Sequence, residues 1–449
     1  MQKALLAKVI LIGALFLALL IPMNMIGGIV AERAGRQAAV EREIAADNYG
    51  RQELAGLVLS LPYTEEYEDR GGDGRMERHS DQRVARLFPA SSDIAGTATV
   101  SSKSRGIFTA RVFAWRGVLR GEFAFDPKTA LARKHAGSRI VPGKPYASLA
   151  LADPRGLVGI PVLNWDGKAL ALERGSELPK LPGGLHAAVP AFGLDAPQRL
   201  AYALSLGLQG TGSLAIAPIA DNDRVHLSSN WPHPGFGGQF LPQPDVQRVG
   251  NEGFEAEWTT SALASKAQLQ LLALLEGGKS CASGLCIDRM DVRFVQPIDV
   301  YSLSDRAIKY GFLFIAITFG YFLLFELLTG LPVHPAQYFL VGLALATFFL
   351  LLIGLSEHIA FGFAYAIATA ACVALLGVYL SAALRGRTRG LAFSAMLAAL
   401  YAALYGLLIS EDNALLLGSL LVFGLLAAAM IITRKLDWYA PGAPRPAPA

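Results

Sequence analysis

The chain lacks the short motifs by which many enzymes are recognised. It has no Walker loop, no Gly-x-Ser-x-Gly, no His-Glu-x-x-His and no Cys-x-x-Cys-His. Cysteine is scarce, with three in 449 residues, and no Cys/His cluster of metal-ligand spacing occurs. Neither sign of charge dominates. Forty basic residues stand against 36 acidic ones, a net charge of +4, with no basic stripe interleaved with aromatics, which argues against a nucleic-acid partner. Long alternation of strands and helices is also missing, which speaks against a Rossmann-type enzyme domain. No cofactor and no metal are expected.

Long apolar runs, by contrast, are abundant. A helix crosses a hydrocarbon core with roughly 20 residues at 1.5 Å rise each. Six runs qualify: Val9–Val30, Tyr310–Leu328, Tyr338–Leu355, Ile359–Leu380, Leu391–Leu408 and Ala414–Ile432. The first is longer than the apolar region of a signal peptide and reads as an uncleaved anchor. Lys3 and Lys8 precede the first span, Arg385, Arg387 and Arg389 fill one short loop, and Arg434 and Lys435 follow the last. The positive-inside rule then puts both termini in the cytoplasm and residues 31–305 in the periplasm of a bacterial inner membrane. Arg306 and Lys309 are a local exception on the outer side.

The insert begins as a charged helical stalk over Ala31–Ala55. Short segments rich in β-formers follow, among them Leu57–Leu61, Arg83–Phe88, Thr97–Ser101, Ile107–Trp115, Leu119–Phe125, Leu200–Leu208 and Arg224–Ser228. Turn residues such as Asp221-Asn222-Asp223 separate them. About a dozen strands at this spacing suggest an antiparallel sandwich or a large curled sheet, with one helix over Ser261–Leu275. The fold class is thus an integral membrane α-helical protein with six transmembrane helices and a β-rich periplasmic domain between helices 1 and 2. Its parts are an anchor (1–30), a stalk (31–56), a β domain (57–305) with a weak break near 130–148 that would give two subdomains, a five-helix bundle (306–433) and a Pro/Ala-rich cytoplasmic tail (434–449).

Four groups of residues carry candidate chemistry. The stretch from Asn230 to Pro242 reads as an irregular loop pinned on a sheet by Trp231, Phe236 and Phe240, with His233 available for a partner. Glu326 is an acidic residue inside an apolar span, hence a functional candidate unless it reaches the interface or pairs with a neighbour such as His334. Glu357-His358 and Glu411-Asp412 lie at the outer ends of spans, as polar hairpin tips or as a titratable patch. Cys281 and Cys286 would close a small disulfide loop in an oxidising compartment, and Cys372 is expected to pack inside a span.

Taken together, several stretches resemble the CreD family of Gram-negative inner-membrane proteins, the cell envelope integrity proteins. They are Leu57–Tyr63, Trp231–Pro242, Val295–Tyr301, Arg306–Tyr310, Phe325-Glu326, His334–Tyr338, Leu355–His358, Glu411-Asp412 and Asp437–Tyr439. The Pro/Ala-rich tail and the Cys281/Cys286 pair fall outside that pattern. The resemblance implies a role in envelope integrity, colicin tolerance and the response to β-lactam stress, and it supplies no catalytic residues. The expected function is a non-enzymatic envelope factor whose periplasmic domain binds a protein, lipid or glycan, its other partner being the lipid bilayer. A transporter or lipid-handling protein using Glu326, Glu357 and His358 is the alternative, and a membrane-anchored envelope hydrolase is a third reading.

Overall fold

The computed structural model describes residues 2–434 except 71–75, 132, 194, 278–284, 296–298, 330–332, 384–385 and 411–412. The chain separates into two compact units, one of Met1–Ala38 with Ile298–Ala449 and the other of Ala39–Pro297. Eight helices are described: α1 (Gln2–Asp47), α2 (Pro127–Ala130), α3 (Ala267–Leu275), α4 (Val300–Thr329), α5 (Pro335–Ser356), α6 (Phe361–Ala383), α7 (Arg387–Ile409) and α8 (Ala414–Thr433).

In the first unit, α1 and α4 to α7 contain stretches long and apolar enough to cross a membrane. The last helix, α8, is also apolar, and its 20 residues would span about 30 Å. Helix association in lipid depends on close packing rather than on burial from water. On α1 the stripe Ile12, Leu19, Met23, Ile26 and Val30 is buried, at spacings of seven, four, three and four residues. Two glycines admit that stripe. A Cβ on Gly342 would lie 2.1 Å from Leu19 Cδ1, and one on Gly311 would lie 2.6 Å from Met23 Cε. Between α6 and α7, the Tyr365 hydroxyl donates to the Tyr401 carbonyl (2.7 Å). Tyr401 in turn donates to Cys372 Sγ at 3.3 Å, so this free, buried cysteine is packed as expected.

The second unit holds three sheets of eight, six and four strands among the described residues. The eight-stranded sheet runs in the order Arg248–Gly250, Gly253–Ser261, Asn222–Ser229, Ser91–Arg105, Phe108–Phe125, Gln198–Thr211, Leu157–Trp165, Lys168–Leu170. Most pairings are antiparallel, but Asn222–Ser229 lies parallel to Ser91–Ala98 and Gln52–Ala55 parallel to Leu214–Ala217. Strict alternation builds the core: Leu200, Tyr202, Leu204, Leu206 and Leu208 of one strand are all buried. They join Leu54, Leu59, Trp115, Leu149, Trp165, Trp258 and Val292 in one cluster, so residues on both sides of 130–148 share a core.

Several strands are longer than the sequence suggests. Residues 107–125 were expected as two strands, yet Phe108–Phe125 is one strand of 18 residues. The glycines that look like breaks are sites of close approach. A Cβ on Gly96 would meet Trp115 Nε1 at 2.4 Å and one on Gly117 would meet Trp115 Cζ2 at 2.1 Å, so the indole lies across both. Gly106, at φ +64°, makes the turn of this hairpin. The stalk helix is continuous with the first span as far as Asp47, after which Gln52–Ala55 is a strand. Arg105 holds the helix end through Glu43 (3.0 Å) and Asp47 (2.7 Å). The expected helix at Ser261–Leu275 is confined to its second half, α3, because Gly253–Ser261 is a strand.

Candidate functional site

Lys8, on α1, pairs with Glu326, near the end of α4, and its ammonium also donates to the Val333 carbonyl at 2.8 Å. The Tyr338 hydroxyl donates to the second carboxylate oxygen of Glu326 at 3.3 Å. Both charged side chains are largely buried, 20% and 15% exposed. A lone carboxylate at this depth would be costly, and one cation and one phenol offset that cost. The expected neighbour, His334, has another task. Its Nδ1 accepts from Ala336 N–H (3.2 Å) while Gln337 accepts from His334 N–H (3.1 Å), a reciprocal cap on α5.

A second arrangement of the same kind closes the other end of α5. Glu357 receives a hydrogen bond from the Tyr301 hydroxyl (3.2 Å) and faces Arg33 Nε of α1 at 3.5 Å. Lys8 and Arg33 lie 25 residues apart on one helix, about 37 Å of rise, against a hydrocarbon core of about 30 Å. The spacing suits two clamps at the margins of a bilayer. His358 is exposed, and Glu411 and Asp412 lie outside the described residues.

The stretch following Asn230 is less irregular than its composition suggests. Pro234–Gly238 is a strand at the edge of the four-stranded sheet, paired with Met290–Phe294. Trp231 Nε1 donates to the carbonyls of Val295 (3.0 Å) and His233 (3.1 Å), and the Arg111 guanidinium stacks 4.8 Å above its ring. Phe236 packs edge-on against Phe254 and Trp258 at 5.5 and 5.7 Å. Trp231, Phe236 and Phe240 all lean on the main core, whereas His233 is exposed. Cys286 is disulfide-bonded at φ +51°, and Cys281 lies outside the described residues.

Two buried carboxylates escaped sequence reasoning. Glu65 is fully buried and accepts from Lys134 N–H (2.8 Å), His135 N–H (2.9 Å) and Ser138 Oγ (2.7 Å), with Arg83 at 3.5 Å. The His135 N–H, then the Ser138 hydroxyl, hold its pKa down at about 2. The His135 ring stacks on Tyr67 at 3.6 Å, so Glu65 and Tyr67 together fix the 133–138 segment on the strand Val58–Arg70. Asp223 is 5% exposed, and burial pushes its carboxyl up to about 7 even though it accepts from Ala220 N–H at 2.8 Å. Burial likewise raises the Tyr202 phenol. The available signal was phase. Glu65 continues the inward series Leu61, Tyr63, and Asp223 begins the series Val225, Leu227.

Among the described residues no group of three or more His, Cys, Asp or Glu is placed to hold a metal ion. The geometry offers structural clamps in the membrane unit and buried polar clusters in the β unit. Residues 4–439 match the family described as "Inner membrane protein CreD". The chain is also 36% identical over 440 residues to the Inner membrane protein CreD of Escherichia coli (strain K12), covering 97% of this chain and 94% of that protein. It is a multi-pass protein of the inner membrane, and it belongs to the CreD family.

Proposed function

We propose that this protein is a non-enzymatic factor that maintains the cell envelope, its bundle serving as the anchor and its β domain binding another envelope component in the periplasm. The observation that carries this reading is the Lys8–Glu326–Tyr338 clamp. An acidic residue within a span, the natural candidate for a transport path, is engaged by a cation and a phenol. Such a pairing suits a scaffold that must keep its first helix in place. In this reading α8 is the sixth span, both termini are cytoplasmic and residues 31–305 are periplasmic, in keeping with the basic clusters at Lys3, Lys8, Arg385, Arg387, Arg389, Arg434 and Lys435. Colicin tolerance and the β-lactam stress response belong to the proposal through the family resemblance. Within the Trp231–Pro242 contact segment, His233 and the edge of Pro234–Gly238 that pairs with no strand among the described residues are the parts offered to a partner, since Trp231 and Phe236 are engaged in packing.

A deletion strain exposed to detergent tests the role. The intact protein restores dye exclusion, and a photo-crosslinker at position 233 captures a discrete envelope component in living cells. Dye uptake unchanged by the intact protein would refute the role. Capture of nothing at position 233, with function intact when it is substituted, would refute the contact segment.

A further inference from the structure

The strand Pro234–Gly238 ends the four-stranded sheet and pairs only with Met290–Phe294 among the described residues. Alternate residues of an inner antiparallel strand bond to opposite neighbours. Here Phe294 N–H donates to the Gly212 carbonyl on one side and Gln239 N–H to the Arg289 carbonyl on the other, both at 2.9 Å. That phase turns the backbone groups of Gly235 and Gly237 toward the inner strand. The N–H groups of Phe236 and Gly238 and the carbonyls of Pro234 and Phe236 then point away from the sheet. None of these four has a hydrogen-bond partner among the described residues. Edge strands are commonly guarded by a charged side chain, yet this one carries none. Its one large side chain, Phe236, is turned onto Phe254 and Trp258.

On the other face of the strand, the neighbouring chain segment shapes the edge. A Cβ on Gly235 would lie 2.7 Å from Val295 Cγ2, and one on Gly237 would lie 3.3 Å from an Arg293 guanidinium nitrogen. Val295 and Arg293 therefore lie over the two glycines and reach the rim where a further strand would start. Arg293 is 59% exposed and faces Asp291 at 3.7 Å on the same face. Asp291 also feels the charges of Arg289 and Arg51, while Glu53 engages Arg289 at 3.4 Å. Three guanidinium groups thus share two carboxylates, and Arg293 carries the unbalanced charge to the rim.

We propose that this edge takes up an extended acidic peptide as an added strand, its backbone pairing with Phe236 and Gly238 and a carboxylate side chain meeting Arg293 over Gly237. Donors and acceptors alternating at strand spacing match a peptide backbone rather than a glycan or a lipid. A residue placed beside Gly237 shares the face of Arg293, so one strand meets the backbone and the charge together. The inference rests on the reading that the Trp231–Pro242 segment contacts an envelope component, and it makes that component a protein with an exposed extended segment.

Fluorescence anisotropy of the full chain in detergent uses a labelled heptapeptide in which valines alternate with threonine, glutamate and threonine. This peptide should saturate. The same peptide N-methylated at its three central residues lacks the pairing donors, and a third form has lysine in place of glutamate. Each of these should bind about tenfold more weakly or worse. Arg293→Glu, a change at an exposed position, should reverse the preference and favour the lysine peptide. The inference is overturned if the glutamate peptide does not saturate, if N-methylation leaves binding unchanged, or if Arg293→Glu keeps the wild-type order. Capture of a lipid, a glycan or a second copy of this chain by the crosslinker at position 233 would also overturn it. Failure of the functional reading is separate, since it appears as intact protein that does not restore dye exclusion.

Discussion

Lys8 and Glu326 form an ion pair across 318 residues of sequence, joining the first membrane helix to the end of α4. The Tyr338 hydroxyl completes the site from α5, so three helices meet at one carboxylate. At the far end of the same α1 face, Arg33, Glu357 and Tyr301 repeat the arrangement. Between the clamps, Leu19 and Met23 fit against Gly342 and Gly311.

Removing one partner of the Lys8–Glu326 pair leaves the other largely buried without its counter-charge, with only the Tyr338 or Val333 hydrogen bond remaining, which costs up to about 3–5 kcal/mol. Glu326→Gln and Lys8→Met should each lower the apparent melting temperature in detergent. The double variant Lys8→Met with Glu326→Leu should recover most of the loss. Losses that simply add in the double variant would refute the pairing.

Arg33 is 41% exposed, so water already screens its interaction with Glu357. Arg33→Ala should cost less than about 1 kcal/mol. In the same melting assay its effect should be clearly smaller than that of Lys8→Met.

Overpacking tests the seat of α1. Gly342→Ala brings a methyl group against Leu19 and Phe319 Cζ, and should cost about 1–3 kcal/mol. Leu19→Ala added to it should return part of that loss, whereas Leu19→Ala alone should destabilise.

The two buried carboxylates of the β domain give opposite pH responses. Glu65 has its pKa lowered from 4.5 to about 2, so its contribution is present above 4.5 and is lost as pH falls through 2. Glu65→Gln should therefore lower the melting temperature at neutral pH and do so less as the pH approaches 2. Asp223 has its pKa raised from 3.8 to about 7, so its protonated form favours folding below 3.8 and that advantage is lost as pH rises through 7. Asp223→Asn should stabilise the chain at pH 8 more than at pH 5. Trp115, Trp165, Trp231 and Trp258 report on this domain, so tryptophan fluorescence on heating serves as the readout for both.

Hydropathy made the apolar helices and the large insert legible, because length and composition alone set whether a helix can span. The partner of Glu326 was not legible. His334 is near in sequence, whereas Lys8 becomes a neighbour when α1 docks. Glycine misled in the β domain. Gly117 fell between two expected strands, yet it continues a long strand and makes room for Trp115. Asp223 read as a turn residue, although it is the second residue of a strand and its side chain points inward. The strand at Pro234–Gly238 was hidden because it pairs along one edge, where proline and glycine are tolerated.

The measurement that bears most directly on the account is dye uptake under detergent stress in a deletion strain carrying the Lys8→Met, Glu326→Leu double variant at matched expression. A scaffold needs the helix held and not the charge, so the double variant should restore dye exclusion as well as the intact protein does. Rescue by the intact protein together with failure of an equally stable double variant would contradict the account and place the working chemistry at Glu326.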